Sequence, residues 1–246
     1  MIHSVSIVNY YNTTPFIYGI KHTNFQSQIQ VQLDIPSVCA QKLKNKQVEI
    51  GLVPVAILPE LQHYHLITDY CIGAVGKVDS VKLFSEKPLE ELTHVLLDYQ
   101  SKTSVTLVQV LNKHFWKKNI HFVPANQGYE SLITGATGGV IIGDRTFGLS
   151  SYPYQYDLAE EWHKYTQLPF VFACWVSNVE LNNQFIESFN KALAYGVNHI
   201  EAAVLEQPNS TPNFDPLDYL KNKISYHFDE DKKQALVKFL ELMSDL

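Results

Sequence analysis

Three hydroxyl side chains stand together at the predicted start of one helix: Ser101, Thr103 and Ser104. The first turn of a helix has backbone N–H groups without intrahelical partners, and it carries the positive end of the helix dipole. Hydroxyl groups beside these donors could hold a carboxylate without a cationic side chain. Serine and threonine are also the ordinary residues at a helix start, so an N-cap without a ligand is the alternative interpretation.

Three further segments stand out at the ends of predicted strands: Asn12-Thr13-Thr14, Pro54-Val55-Ala56 and Gly143-Asp144-Arg145. In an open parallel sheet, ligands bind beyond the carboxyl ends of the strands, so these segments are candidates for a binding site. Each has a structural alternative. Asn12 could cap its own turn, Asp144 could cap the next segment, and Arg145 could be a surface charge instead of a carboxylate clamp.

The hydrophobic patterns that must position these residues indicate an α/β protein. Apolar residues alternate over 29–35, share one helical face from Pro36 to Leu43, and run continuously over 48–58. This order of strand, helix and covered strand is a βαβ unit, which implies a parallel sheet. Similar patterns predict strands at 5–8, 95–97, 140–142 and 170–176, a turn at 12–15, helices at 101–115 and 157–165, and helical segments at 185–204 and 236–243.

We expect two lobes that are joined by strands crossing near 77–84 and 170–177. The first lobe is predicted to be discontinuous, with residues 1–90 joined by 177–246, and the second lobe is predicted to comprise residues 91–176. The chain has 246 residues, 46% of them hydrophobic, which is enough for two such cores.

Composition argues against several classes of protein. A formal net charge of −6 gives no general attraction for phosphate backbones, so we expect no nucleic-acid partner. The N-terminus lacks the features of a signal peptide, and no run approaches the roughly 18 apolar residues that span a bilayer. We therefore predict a cytoplasmic protein without membrane contact, in which Cys39, Cys71 and Cys174 are buried reduced thiols.

Two other patterns do not lead to a cofactor. His63 and His65 would point to one side of a strand, but no third ligand has the spacing that a metal site requires, so no metal is predicted. The glycines between 135 and 143 do not follow a strand and open a helix in the dinucleotide-binding order, and they are interpreted as turns.

Several segments, in the same order along the chain, resemble the chorismate dehydratases of menaquinone synthesis. The resemblance covers about residues 5–177, and "VNYYNTTPFIYGI" is similar to the family's "SYLNTKP…GL" opening. One departure lies at its edge, where Ile2-His3-Ser4 replaces the basic residue that often opens the family's first strand. The other segments that carry it are "PSVCAQKLKNKQVEIGLVPVAIL", "CIGAVGKVDSVKLFS", "LDYQSKTSVTLVQVL", "VIIGD" and "TQLPFVFACW".

This resemblance implies a type II periplasmic-binding-protein-like fold: two α/β lobes with a ligand cleft between them, used as a cytosolic enzyme. It also implies conversion of chorismate to 3-[(1-carboxyvinyl)oxy]benzoate and water, without a metal or organic cofactor. The family's active-site asparagine falls on Asn12, which we predict to be catalytic. Its crossing-strand serine falls on Ser80 and its helix-start hydroxyls on Thr103 and Ser104. Together with the strand ends, the predicted substrate contacts are Thr13, Val55, Ala56, Ser80, Ser101, Thr103, Ser104, Gly143 and Asp144.

Alternatives remain open at this point. The sister enzyme, 1,4-dihydroxy-6-naphthoate synthase, has a His-Glu pair where this chain has Gly143-Asp144, and the missing histidine disfavours it. A non-catalytic intracellular protein that binds a small carboxylate would use the same architecture. The general base could be the enolpyruvyl carboxylate of chorismate or Asp144. The sequence does not determine the oligomeric state.

Overall fold

The computed structural model describes residues 2–149 and 151–246, which form two mixed β-sheets with helices packed against them. The strands are β1 (His3–Val8), β2 (Ile29–Asp34), β3 (Ile50–Pro54), β4 (His65–Ala74), β5 (Val81–Ser85), β6 (His94–Leu97), β7 (His121–Pro124), β8 (Thr137–Ile142), β9 (Tyr154–Asp157), β10 (Phe170–Ser177) and β11 (Ser225–His227).

Helices connect most of these strands. They are α1 (Thr14–Lys21), α2 (Pro36–Lys44), α3 (Lys102–Leu111), α4 (Leu158–Thr166), α5 (Asn183–Asn198), α6 (Ile200–Glu206), α7 (Pro216–Asp218) and α8 (Glu230–Ser244). Short 3-10 turns lie at Tyr11–Thr13, Asn24–Gln28, Val55–Glu60, Leu89–Glu91, Tyr129–Leu132 and Gly143–Thr146, and π-helical turns lie at Asn112–Trp116 and Tyr219–Lys223.

The six-stranded sheet has the order β11-β4-β10-β3-β1-β2. The predicted βαβ unit is confirmed, because β2 and β3, which α2 connects, both lie parallel to β1. Strand β10 is antiparallel to its neighbours β3 and β4. Both β3 and β10 are buried along their whole length, as their continuous apolar sequences require.

The five-stranded sheet, β7-β6-β8-β5-β9, repeats this arrangement. Strand β6 lies between its parallel neighbours β7 and β8, just as β1 lies between β2 and β3. Strand β5 is antiparallel to β8 and β9 and so takes the place that β10 has in the other sheet. In both sheets the chain therefore contributes three parallel strands and one strand of reversed direction at corresponding positions.

The chain crosses between the sheets twice, at 75–80 between β4 and β5 and at 158–169 between β9 and β10. Strand β5 belongs entirely to the five-stranded sheet and β10 entirely to the six-stranded sheet. On the basis of sheet membership, we propose that the lobe boundaries lie within these two connections. The boundaries predicted from the sequence, at 90/91 and 176/177, stay a prediction.

The structure differs from the expected elements in three places. The predicted turn at 12–15 is instead a 3-10 turn that continues into α1, with Pro15 in the first helical turn, where its missing N–H costs nothing. The predicted strand over 48–58 is shorter, because the chain leaves β3 at Pro54 and turns. The helix predicted over 101–115 ends as an α-helix at Leu111 and continues as a π-helical turn.

A close approach of two helices fixes the position of α1 and of the turn before it. Gly19 of α1 and Gly196 of α5 face each other's helices: a Cβ on Gly19 would lie 2.0 Å from the Ala192 carbonyl oxygen, and one on Gly196 would lie 1.8 Å from that of Pro15. Only glycine permits backbones to approach this closely. Helix α1 is therefore held against α5 immediately after the segment that carries Asn12.

No helix in the described part of the chain is both long enough and apolar enough to cross a membrane.

Candidate active site

A cleft lies between the two sheets, at the ends of β1, β3 and β8 and at the start of α3. The space between its walls is about 500 Å³ when the open solvent at its mouth is included. Its lining is mostly apolar and comes from both lobes. The lining residues are Val8, Tyr10, Asn12, Pro36, Pro54, Ile72, Val78, Ser80, Val81, Ser101, Ser104, Ile142, Gly143, Phe172 and Ala173.

The start of α3 presents two serine hydroxyls to the cleft. Ser101 is the N-cap residue, and its Oγ accepts hydrogen bonds from the Ser104 backbone N–H at 3.4 Å and from the Ser104 Oγ at 3.3 Å. The N–H groups of Lys102 and Thr103 open the helix and have no intrahelical partner. Ser101 is therefore a cap, as the alternative interpretation had it, and it also lies beside free donors at the positive end of a helix dipole.

Four predicted contacts lie behind the cleft wall instead of in the lining. The Thr103 hydroxyl is fully buried and accepts a hydrogen bond from the Ala56 N–H at 3.1 Å, which ties α3 to the turn after β3. Val55 and Ala56 are buried in that turn, and it is their neighbour Pro54 that lines the cleft. The Thr13 hydroxyl donates to the carbonyl oxygens of Val8 and Tyr10, at 2.7 and 2.8 Å, and stabilises the turn.

Asn12 lies in the 3-10 turn after β1 and lines the cleft. Its backbone carbonyl accepts a hydrogen bond from the Tyr226 hydroxyl at 2.9 Å. Its side-chain Oδ1 is buried and has no hydrogen-bond partner among the described residues. Because burying an unpaired acceptor costs about 1–3 kcal/mol, this oxygen is suited to accept a hydrogen bond from a ligand.

Ser80 lies on the crossing segment between β4 and β5 and is 2% exposed. Its carbonyl oxygen accepts a hydrogen bond from the Gly143 N–H at 2.8 Å, which joins the crossing segment to the end of β8. Its Oγ accepts a hydrogen bond from the Tyr219 hydroxyl at 2.8 Å. The side chain is thus held from behind while it lines the cleft.

Gly143 and Tyr10 form one wall of the cleft together. Gly143 has φ +63°, and a Cβ built on it would lie 2.8–2.9 Å from three ring carbons of Tyr10. The Tyr10 hydroxyl donates to the Gln100 side-chain oxygen in a short hydrogen bond that spans the two lobes. Neither Tyr10 nor Gln100 was among the predicted contacts. Tyr10 stands between the end of β1 and Asn12, and that position is the sequence feature that could have indicated it.

Asp144 joins the lobes and does not line the cleft. Its carboxylate accepts a hydrogen bond from the Tyr11 backbone N–H, with the nitrogen 3.0 and 3.2 Å from the two carboxylate oxygens. Burial raises the pKa of Asp144 above its usual value, and the Tyr11 hydrogen bond opposes this rise. The structure therefore gives Asp144 a role in holding the two lobes together at the edge of the site.

Arg145 is bonded to carboxylates of the protein itself. It forms ion pairs with Asp98, whose side chain is fully buried, and with Glu130 at 2.8 Å. Burial raises the pKa of Asp98, and the Arg145 guanidinium opposes this. The Tyr129 hydroxyl also donates to Asp98, at 2.8 Å. Of the two roles considered for Arg145, neither a solvated surface charge nor a substrate clamp describes this buried network.

Among the described residues, no three histidine, cysteine, aspartate or glutamate side chains are grouped closely enough to hold a metal ion. His63 lies in a bend and β4 begins only at His65, so the expectation that both rings lie on one strand was wrong. Cys39, Cys71 and Cys174 are free and buried, as predicted. Burial raises the pKa of Cys39 and of Cys71 to about 12.

The two similar sheets, the two crossings and the cleft between them define a periplasmic-binding-protein-like α/β protein, which confirms the predicted fold class. A Candida albicans protein described as having the generic periplasmic binding protein fold matches this chain with a TM-score of 0.65, at 9% identity, over 100% of this chain and 91% of that one. The sequence itself matches the menaquinone biosynthesis family over residues 3–245, and the chain belongs to that family.

Other known proteins are similar to this chain. A Thermus thermophilus protein named chorismate dehydratase is 27% identical over 221 residues, which are 79% of this chain and 80% of that protein. A solved Archaeoglobus fulgidus structure matches with a TM-score of 0.77 at 13% identity, over 99% of this chain and 97% of that one. At such identities the solved structures establish the fold alone.

Proposed function

We propose that this protein is a chorismate dehydratase, a carbon–oxygen lyase that removes water from chorismate in menaquinone biosynthesis. Membership of the menaquinone biosynthesis family supports this, as does the similarity to a protein of that name in Thermus thermophilus. The proposed substrate is a small molecule, the proposed product is 3-[(1-carboxyvinyl)oxy]benzoate, and no cofactor is invoked.

The observation that carries the proposal is the chemical character of the cleft. Among the described residues that line it, the polar side chains are three serines, one asparagine and one tyrosine, and none is an acid, a histidine or a cation. Such a site can bind carboxylates through hydroxyl groups and a helix N-terminus, but it offers no strong acid or base. A substrate that reacts there must contribute the missing group.

Chorismate meets this requirement. The reaction removes the proton on C3 and the hydroxyl group on C4, and the C3–H electron pair becomes the third double bond of the aromatic ring. The ring carboxylate, conjugated with C3, stabilises the developing negative charge. The step needs anion binding, orientation of the leaving hydroxyl group and exclusion of water.

The base in this proposal is the enolpyruvyl carboxylate of the substrate, which is attached at C3 and can fold back onto the C3 proton. That proton then passes to the departing hydroxide, so water is the only other product. The position of Asp144 supports this choice, because its carboxylate is bonded to the Tyr11 N–H and does not line the cleft. Asp98 is likewise bonded to Arg145.

In the proposed complex, Ser80, Ser101 and Ser104 bind the substrate carboxylates and Asn12 holds the ring hydroxyl group. Contacts between the lobes support a closed, water-poor reaction site. They include the Tyr10–Gln100 hydrogen bond and a backbone hydrogen bond from Ser37 N–H to the Gln100 carbonyl at 2.9 Å. Opening and closing of the lobes would admit substrate and release product.

The direct test is to incubate the purified protein with chorismate in the presence of a chelator and to identify products by mass spectrometry. We expect loss of one water per chorismate in the wild type. Asn12→Ala should lower kcat by about 10²–10³-fold, as for removal of other preorganised polar groups. Asn198→Ala, at the exposed end of α5, is the matched control and should keep wild-type kcat.

Two outcomes would contradict the proposal. Chorismate that binds without turnover would indicate a non-catalytic binding protein. Turnover of cyclic dehypoxanthine futalosine instead of chorismate would indicate the sister enzyme.

A further inference from the structure

A buried tyrosine from the C-terminal part of the chain lies directly behind the cleft. Tyr219 begins the π-helical turn after α7 and is 3% exposed. It does not line the cleft, but its hydroxyl lies 2.8 Å from the Ser80 Oγ, which does. Nothing in the sequence pattern around Tyr219 indicated a connection with the site.

The same hydroxyl group has a second neighbour in the site. The Asn12 side chain lies near this hydroxyl group: burial raises the pKa of Tyr219, and the interaction of Asn12 with the phenol opposes that rise. The Asn12 Oδ1 has no hydrogen-bond partner among the described residues, so the amide nitrogen is the group that would donate to the phenol oxygen. The backbone of Asn12 is held separately, by the Tyr226 hydroxyl.

The directions of these hydrogen bonds follow from the number of protons available. A neutral phenol has one proton, and Tyr219 donates it to the Ser80 Oγ. Its oxygen can then accept an N–H from Asn12. Burial raises the pKa of Tyr219, so the phenol stays protonated across the working range of pH.

The direction continues into the cleft. Since the Ser80 Oγ already accepts the Tyr219 proton, the Ser80 hydroxyl has its own proton left to donate forward. Asn12 has the opposite polarity, because its buried Oδ1, which has no partner among the described residues, can only accept. A ligand that satisfies both must bring an acceptor, such as a carboxylate, next to Ser80 and a donor, such as a hydroxyl group, next to Asn12.

We propose that Tyr219 is a positioning residue, which orients the Asn12 amide and the Ser80 hydroxyl so that the cleft selects a hydroxy acid. The proposal rests on the function proposed above and specifies which atoms meet which substrate groups. The ring hydroxyl of chorismate donates to Asn12 Oδ1, and one of its carboxylates accepts from Ser80. Tyr219 does not touch the substrate and acts through these two side chains.

The kinetic test is Tyr219→Phe, which removes one oxygen atom and keeps the ring. We expect kcat/KM for chorismate to fall by about tenfold, since one orienting hydrogen bond is lost at each of two side chains. In the Asn12→Ala/Ser80→Ala background, the same substitution should change kcat/KM by less than about twofold, because residues acting as a unit are not additive. An equal effect in both backgrounds, or a wild-type kcat/KM in Tyr219→Phe, would overturn the proposal.

Tyr129→Phe is the matched control. Tyr129 is equally buried, and its hydroxyl also has two partners, but they are Asp98 and the Val140 carbonyl, outside the cleft lining. Tyr129→Phe should lower the denaturation midpoint as much as Tyr219→Phe does and leave kcat/KM within about threefold of wild type. If Tyr129→Phe loses as much kcat/KM as Tyr219→Phe, the loss in Tyr219→Phe is due to reduced stability and not to positioning.

A second measurement needs no substrate, so it separates this proposal from the proposed function. In ¹⁵N-labelled wild-type protein, the Asn12 side-chain NH₂ signal, assigned by its loss in Asn12→Ala, should be protected from hydrogen exchange. Tyr219→Phe should remove that protection. Rapid exchange in the wild type would overturn the assigned amide orientation, whether or not chorismate is turned over.

Discussion

Replacing Gly143 with alanine tests how closely the cleft wall is packed. Gly143 has φ +63°, where an L-residue costs about 1–2 kcal/mol. The new Cβ would also lie 2.8–2.9 Å from the Tyr10 ring carbons, whereas carbon atoms normally pack at about 3.5–4.0 Å. The ring must therefore move by about 0.7 Å or more. Gln100 holds its hydroxyl end, so the movement has to occur within the cleft that Tyr10 lines.

The expected magnitude can be divided between strain and collision. Overpacking of this kind costs about 1–3 kcal/mol. If about 2 kcal/mol of this overpacking cost is added to the activation barrier when the lobes close on substrate, kcat/KM for chorismate should fall about 30-fold. Gly135→Ala is the matched control, because Gly135 has φ +57° and its added Cβ would meet nothing within 4 Å. It carries the same backbone strain without the collision.

The assay compares both variants by steady-state kinetics and by urea unfolding. Both should lose about 1–2 kcal/mol of stability from the left-handed alanine, and Gly143→Ala should lose more because of the collision. Only Gly143→Ala should lose catalytic efficiency. Adding Tyr10→Ala should remove most of the further kinetic effect of Gly143→Ala. Equal kinetics in the two glycine variants would refute the inferred contact between the Gly143 position and the Tyr10 ring.

Further predictions concern the start of α3 and the carboxylate at the edge of the site. Ser104→Ala should raise KM more than about tenfold, because a hydrogen bond to a substrate carboxylate is lost. Thr103→Ala leaves the Ala56 N–H unpaired, so it should lower the free energy of unfolding in urea by about 1–3 kcal/mol and keep KM within about threefold. An equal rise in KM in both variants would contradict the placement of the two hydroxyl groups. Asp144→Asn should keep kcat within about tenfold of the wild-type value, which corresponds to a change in the activation barrier of at most about 1.4 kcal/mol. If the variant folds and binds chorismate but is inactive, Asp144 is the general base. Because burial raises the pKa of Asp144 in the folded protein, its ionisation opposes folding, and its contribution to stability falls as pH rises from the unfolded value of 3.8 through the folded one. Urea unfolding of Asp144→Asn, measured over a series of pH values above 3.8, should therefore lack that part of the pH dependence.

Local sequence was enough to predict the framework of this protein. The alternating residues of β2, the one-faced apolar pattern of α2 and the continuous apolar run of β10 each specify their element, because burial on one face or both is recorded in the periodicity. The N-cap at Ser101 and the end of β8 before Gly143 also follow from nearby residues, whereas the strand predicted over 48–58 ends already at Pro54.

Tertiary structure decided which polar groups enter the cleft. Thr103 and Ser104 are adjacent in the sequence, yet the helix turns Thr103 towards the Ala56 N–H and Ser104 towards the cleft. The partners of Ser80 and Gly143 are Tyr219, 139 residues away, and the ring of Tyr10. The first contact arises only when the segment after α7 packs behind the crossing between the sheets, and the second only when the end of β8 meets the turn after β1. Hydrogen-bond polarity and close packing depend on such distant partners, and no local pattern records them.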